Sequence, residues 1–181
     1  MSSILTGRGH IFHFLRPGAN VVDIEDIADA LSKICRFTGH TSSFYSVAQH
    51  SVLVASVLAG LPAKVRLAGL LHDAAEAYVG DVSLPLKQLL PDYKEIERGV
   101  EHAVAAALGF EYPYPPAVKT ADTILLATER RDLMPASEPW EVLKNVTPLP
   151  DTIVPLEPFA ARALFMQHYA AICEEICHDR T

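Results

Sequence analysis

Side chains that bind metals and move protons concentrate in one stretch, Leu70-Leu71-His72-Asp73-Ala74-Ala75-Glu76-Ala77-Tyr78-Val79-Gly80-Asp81. An apolar segment carrying His-Asp-x-x-Glu needs partners for those groups, because an unpaired buried charge is expensive. On a helix with about 100° per residue, Asp73 falls about 100° and Glu76 about 40° around from His72. The three share one face, Glu76 lies between the other two, and Ala74, Ala75 and Ala77 keep the remaining directions slim.

Two further groups stand in apolar surroundings elsewhere. His50 falls three residues after Val47 and four before Val54, on a helical core stripe, where it is either a satisfied core histidine or a ligand. Asp122 sits inside Val118-Lys119-Thr120-Ala121-Asp122-Thr123-Ile124-Leu125-Leu126. Together His50, His72, Asp73 and Asp122 offer two imidazoles and two carboxylates, a set suited to a divalent transition ion (Mn, Co, Zn, Fe or Ni) with positions left for water. Two nitrogen ligands argue against a pure Mg²⁺ or Ca²⁺ site. The thiols Cys35, Cys173 and Cys177 lie elsewhere, so no structural zinc cage is expected.

The elements that must position these groups follow from periodicity. The chain of 181 residues is expected to form one domain, 1–181, large enough to bury a core. Half its residues are apolar and 20% are charged, a globular composition. A formal charge of −7 argues against duplex DNA or an anionic membrane surface, but not against a nucleotide, which needs only a local basic pocket. The odd cysteine count, the lack of a signal pattern after Met1 and the lack of any long apolar run point to the cytoplasm.

Residues 1–20 mix aromatic and β-branched side chains and read as a short strand or hairpin at the domain's edge, with His10 and His13 as packing or surface histidines. A first helix begins at Asp23 and ends at Arg36-Phe37-Thr38-Gly39. A second runs from Ser46 to Leu58, and a third starts at Pro62-Ala63, carries the His-Asp motif and stops at Gly80. A short helix follows Pro85, then helices over about 92–108 and about 117–133. Residues 135–158 hold six of the thirteen prolines and read as a long irregular loop, a lid or an oligomer contact. The last helix, about 158–176, ends near Cys173, Cys177 and His178, which read as ordinary helix-end residues. There is no phosphate-cradling glycine loop, Cys-x-x-Cys pair or Gly-x-Ser-x-Gly elbow. The expected fold is all-α, a bundle of six or seven helices around the metal with a minor N-terminal β element.

Gln49-His50, His72-Asp73 and Asp122 match, in order, the H…HD…D signature of the HD-domain metal-dependent phosphohydrolases, which this sequence resembles over about residues 24–133. The resemblance is closer to their deoxynucleotidase-like branch. In that branch the second motif extends as H-D-x-x-E-x-x-x-G-D-x-x-x-P-x-K, standing here as His72, Asp73, Glu76, Gly80, Asp81, Pro85 and Lys87. Arg36-Phe37 matches the Arg-aromatic pair that the branch carries before its first histidine. The resemblance implies a metal held by His50, His72, Asp73 and Asp122, with Glu76 orienting water or passing a proton and Asp81 assisting it. Arg36 and Lys87 would clamp phosphate oxygens, although Arg36 at a helix end and Lys87 on a surface have ordinary readings too. Phe37 would stack on a nucleobase, pack beside the sugar, or simply end its helix in the core.

The implied reaction is hydrolysis of (deoxy)nucleotide phosphate esters, foremost deoxynucleoside 5′-monophosphates to nucleoside and phosphate. The alternative within the family is a dNTP triphosphohydrolase of the dATP type, releasing triphosphate. A non-catalytic nucleotide-sensing helical domain should lack ligands or the acid–base group, and all five are present. The expected partners are a nucleotide substrate and a second copy of the chain in a homo-oligomer, with no nucleic acid polymer and no membrane.

Overall fold

Two short strands and eight α-helices follow one another in the computed structural model, which describes residues 2–179. Strand β1 (Ser3–Leu5) pairs antiparallel with β2 (Ile11–His13), Ile4 opposite Phe12. The turn between them needs Gly9 at φ +87°, a conformation that a Cβ disfavours. Phe12 anchors the hairpin, 1% exposed and stacked 3.9 Å from the Tyr78 ring. A polar clasp completes the attachment to helix α1 (Ile24–Leu31): Asp26 accepts from the Arg8 backbone N–H at 2.9 Å and pairs with His10 Nδ1 at 2.8 Å. Asp23 caps α1 through the Glu25 N–H and holds Arg8 Nε. All four carboxylate oxygens are engaged, so the His10–Asp23–Asp26 cluster is a clasp and not a cation site. His10 is therefore a packing histidine, and His13 lies on the surface.

The centre of the bundle is α2 (Val47–Val57), capped by Ser46 Oγ accepting from the Gln49 N–H. It packs against α3 (Ala63–Leu70), α7 (Pro116–Leu133) and α8 (Pro158–His178). Their buried side chains, among them Val47, Leu70, Leu125 and Phe165, join Ile27 and Leu31 of α1 in one apolar cluster. Each such side chain contributes about 1.5–3 kcal/mol when fully buried. Gly69 lets α3 approach α2 closely: a Cβ there would stand 2.4 Å from Leu58 Cδ1. That approach brings the end of α3, and with it His72, up against His50.

The third helix does not run through the motif. It ends at Leu70; residues 71–75 form tight turns, and α4 covers only Glu76–Val79. Two carbonyls that a continuous helix would use are taken by side chains. Gly69 O accepts from His72 Nδ1 at 2.8 Å, and His72 O accepts from Tyr114 Oη at 2.7 Å. The Glu76 N–H turns instead to Asp73 O, three residues back. At three residues per turn, Asp73 and Glu76 are eclipsed rather than some ~60° apart. This split raises the helix count from the six or seven expected to eight.

After α4 come α5 (Leu84–Lys87) and α6 (Pro91–Leu108). Residues 135–158 contain a single 3₁₀ turn, Glu141–Leu143, and are tied down rather than free. Arg130 Nη2 donates to Ser137 O at 2.7 Å and Glu138 O at 3.0 Å, and Arg131 Nη2 donates to Asp151 O at 2.8 Å. Thr128 Oγ1 and Asp132 Oδ2 accept the backbone N–H groups of Leu149 and Ile153. The Gln49 amide donates to Val154 O and accepts from the Leu156 N–H, both at 2.8 Å. The loop is thus stapled to α7 and to the residue beside His50. Among the described residues no helix is long and apolar enough to cross a membrane.

Candidate metal centre

Three elements converge at one end of α2. The loop 36–45 is closed at its base by Arg36 N–H to Tyr45 O at 2.8 Å and Val47 N–H to Ile34 O at 3.0 Å, which fixes Arg36 beside α2. Helix α2 delivers His50, fully buried, and the turn after α3 delivers His72 and Asp73. Helix α7 delivers Asp122 and, seven residues on, Glu129; on an α-helix that spacing returns to within about 20° of the same face. The His50 ring lies between these two carboxylates. Its Nδ1 is 2.6 Å from Glu129 Oε1 and its Nε2 is 3.5 Å from Asp122 Oδ1.

The hydrogen bonds assign the ring protons. Gly69 O can only accept, so His72 carries a proton on Nδ1. Glu129 is held in its carboxylate form: burial works against the charge, but Arg36 and His50 outweigh it and lower its pKa. His50 therefore donates Nδ1–H to Glu129, and both Nε2 atoms keep a bare lone pair when the rings are neutral. Those two atoms stand 3.3 Å apart. Asp73 Oδ2 is 3.2 Å from His72 Nε2 and 3.5 Å from His50 Nε2. Two imidazole lone pairs facing each other, with a carboxylate oxygen against them on either side, need a cation among them, either a proton on an imidazole or a metal ion.

The spacing fits a metal. Ligands about 2.1 Å from an ion stand about 3.0 Å apart at a right angle and about 3.4 Å apart at the tetrahedral angle. The observed separations of 3.2, 3.3 and 3.5 Å fall in or next to that interval. His50, His72 and Asp122 each offer an atom within 4.8 Å of the others, and Asp73 reaches both imidazoles. An N₂O₂ donor set with one carboxylate-backed imidazole suits a divalent transition ion. Without a metal the proton takes its place on His50. Burial, the largest influence, and Arg36 push its pKa down, yet Glu129 and Asp122 carry it up to about 9. Asp73 and Asp122 resist protonation despite their burial, because the neighbouring imidazoles hold both well below the usual carboxylate range.

The remaining residues expected at the site surround this cluster. Glu76 is 6% exposed and its Oε2 has no hydrogen-bond partner. Burial first, then Asp73 and Asp81, raise its pKa well above the carboxylate range against the pull of Arg36 and Lys87. Asp81 is raised as well, chiefly by burial, and acts on Glu76 as a neighbouring charge. Lys87 Nζ lies 3.7 Å from Glu76 Oε1, touches Glu97, and stands over the Tyr93 ring. Arg36 is in reach of Asp73 at 3.4 Å and Glu129 at 3.1 Å, so its fork already grips two carboxylates, while its Nε is unpaired. Phe37 and Thr38 both sit at φ +55°, in the left-handed region that such residues avoid. Phe37 is half-buried, under the Arg36 guanidinium and 6.2 Å from the Trp140 ring.

Three residues escaped the sequence argument. Glu129 had a usable signal, the seven-residue spacing from Asp122. Gln49 was seen only as the residue before His50, and its clamp on the loop at residues 154–156 is set by tertiary contact. Trp140 left no signal within a proline-rich segment, yet the loop brings it against Phe37.

The HD domain family model matches residues 45–154. The match starts after Arg36-Phe37 and runs through most of the 135–158 loop, so the family region lies later than the 24–133 read from motifs. Among similar proteins, the uncharacterized protein YfdR of Escherichia coli (strain K12) is 41% identical over 179 residues, spanning 96% of this chain and 97% of that protein. An uncharacterized protein of Rhodobacter capsulatus is 35% identical over 141 residues, 72% of each chain.

Proposed function

The chain belongs to the HD domain family, whose members are in general metal-dependent hydrolases, and from that premise we propose that it removes the phosphate from deoxynucleoside 5′-monophosphates. The observation that carries the reading is the arrangement around His50: His50, His72 and Asp122 converging with Asp73 in reach of both imidazoles, a buried carboxyl of raised pKa beside them, and two cations, Arg36 and Lys87. A divalent ion held by His50, His72, Asp73 and Asp122 would polarise a phosphoryl oxygen and make water a better nucleophile.

The chain's own groups supply the rest. Arg36, whose Nη1 and Nη2 reach Asp73 and Glu129, keeps one unpaired donor, Nε, and a fixed positive charge beside the metal ligands to draw in a phosphate. Glu76, whose pKa is raised chiefly by burial, is suited to hold a proton and has a free Oε2 on which to present it. As water attacks phosphorus and the P–O5′ bond breaks, that proton passes to O5′, giving nucleoside and phosphate. Lys87, 3.7 Å from Glu76, offsets the carboxylate left behind. Phe37 and Trp140 offer an aromatic surface next to Arg36 for the nucleoside end.

The competing reading is release of triphosphate from a deoxynucleoside triphosphate, which would use the same ligands and clamps. The deciding experiment incubates a panel of deoxynucleoside mono- and triphosphates with the protein and Mn²⁺, Co²⁺ or Zn²⁺, and identifies the product. Orthophosphate from monophosphates is expected. Triphosphate as product transfers the assignment to the competing reading, and turnover in neither panel overturns both.

A further inference from the structure

Glu129 is a fully buried carboxylate, 0% exposed, that the proposed reaction places against neither metal nor substrate. A carboxylate so buried costs several kcal/mol unless its oxygens are fully paired, and both are. Oε1 accepts from His50 Nδ1 at 2.6 Å and Oε2 from Arg36 Nη2 at 3.1 Å. The same guanidinium reaches Asp73 through Nη1 at 3.4 Å. One carboxylate therefore joins a ligand imidazole from α2 to the cation that leans on a ligand carboxylate from the turn after α3.

We propose that Glu129 is the positioning residue of this centre: it fixes the His50 imidazole with Nε2 toward the metal and holds Arg36 at Asp73, so a single buried carboxylate governs metal affinity and the placement of the phosphate-facing guanidinium. The inference rests on the metal-centre reading. Its physical basis is that a ligating imidazole is oriented by whatever accepts its other N–H, and a carboxylate is the strongest such acceptor.

Glutamine is the informative replacement because it keeps the shape but not the acceptor pair. If its Oε1 faces His50, its amide N–H group confronts Arg36, donor against donor. If it turns, the amide donates to His50 Nδ1, the ring proton moves to Nε2, and the lone pair needed by the metal is lost. The first orientation breaks the bond to Arg36, and the second reverses the bond to His50 and turns its proton toward the metal.

The test measures Zn²⁺ binding to the purified chain by equilibrium dialysis with elemental analysis, without substrate, for the wild type and Glu129→Gln. Loss of affinity by about 10- to 100-fold is expected, with the far-UV spectrum unchanged. Affinity equal to wild type in a folded variant overturns the proposal. Should the variant not fold, ring ¹⁵N spectra of the Zn²⁺-loaded wild type decide: His50 ligating through Nε2 with a proton on Nδ1 supports it, and ligation through Nδ1 overturns it. A wild type that binds no Zn²⁺, Mn²⁺ or Co²⁺ would instead defeat the metal-centre reading itself, a result distinguishable from failure of the Glu129 role alone.

Discussion

Metal loading should expel a proton from the centre. In the metal-free protein His50 titrates at about 9, so two units lower, at pH 7, about 99% of the rings carry the extra proton. An ion that ligates Nε2 must displace it, which weakens apparent binding about a hundredfold at pH 7 and makes affinity rise about tenfold per pH unit toward 9. The metal-free fold has the opposite dependence. A histidine whose folded pKa lies above its ordinary 6.5 contributes stability that is complete below 6.5 and lost as pH climbs through 9. The shift of about 2.5 units corresponds to about 3 kcal/mol. Titration calorimetry in two buffers of different ionisation enthalpy counts the protons directly; one per ion is expected at pH 7, falling toward one half at pH 9. Repeating it in Glu76→Gln removes the other buried group beside the centre whose pKa is raised. Saturable metal binding with no proton release and a flat affinity between pH 7 and 9 would refute the assignment of the bare lone pairs at His50 and His72.

Other expectations follow from single contacts. Glu76→Gln should keep metal affinity within about twofold and lose about 10²- to 10⁴-fold in turnover, as for removal of a general acid, checked by dialysis and initial rates side by side. Gln49→Ala removes the hydrogen bonds to Val154 O and the Leu156 N–H, at about 0.5–1.5 kcal/mol each, visible as a lowered midpoint in urea. Gly69→Ala sets a Cβ against the Leu58 Cδ1 methyl, which must take another rotamer in the core, and should destabilise by about 1 kcal/mol, read as a lowered midpoint in urea. Trp140 is the single tryptophan, so its fluorescence should change when a deoxynucleoside monophosphate binds to Glu76→Gln with metal present and stay constant with inorganic phosphate; equal responses would remove it from the nucleoside surface.

Much of the centre was legible from residue type and spacing. Histidine, aspartate and glutamate inside apolar helical sequence have few alternatives to meeting one another or a cation, which drew attention to His72, Asp73, Glu76 and Asp122 with no coordinates, whereas His50 alone also fitted a core histidine and became a candidate ligand through the family motif. The all-α architecture with an N-terminal hairpin followed from periodicity in the same way. What local sequence could not carry was anything decided by a long-range competitor for a backbone group. Tyr114 and the His72 ring take the carbonyls that would have continued α3, and this eclipses Asp73 with Glu76. Arg36, read either as a helix-end charge or as a phosphate clamp, is gripped by Asp73 and Glu129 from elements 37 and 93 residues away. The proline-rich segment is irregular as its composition dictates, but side chains of α7 and Gln49 decide that it is pinned. Sequence determined which side chains had to find partners; tertiary packing alone decided which partner each one found, because side chains distant in the chain compete for the same buried donors and acceptors.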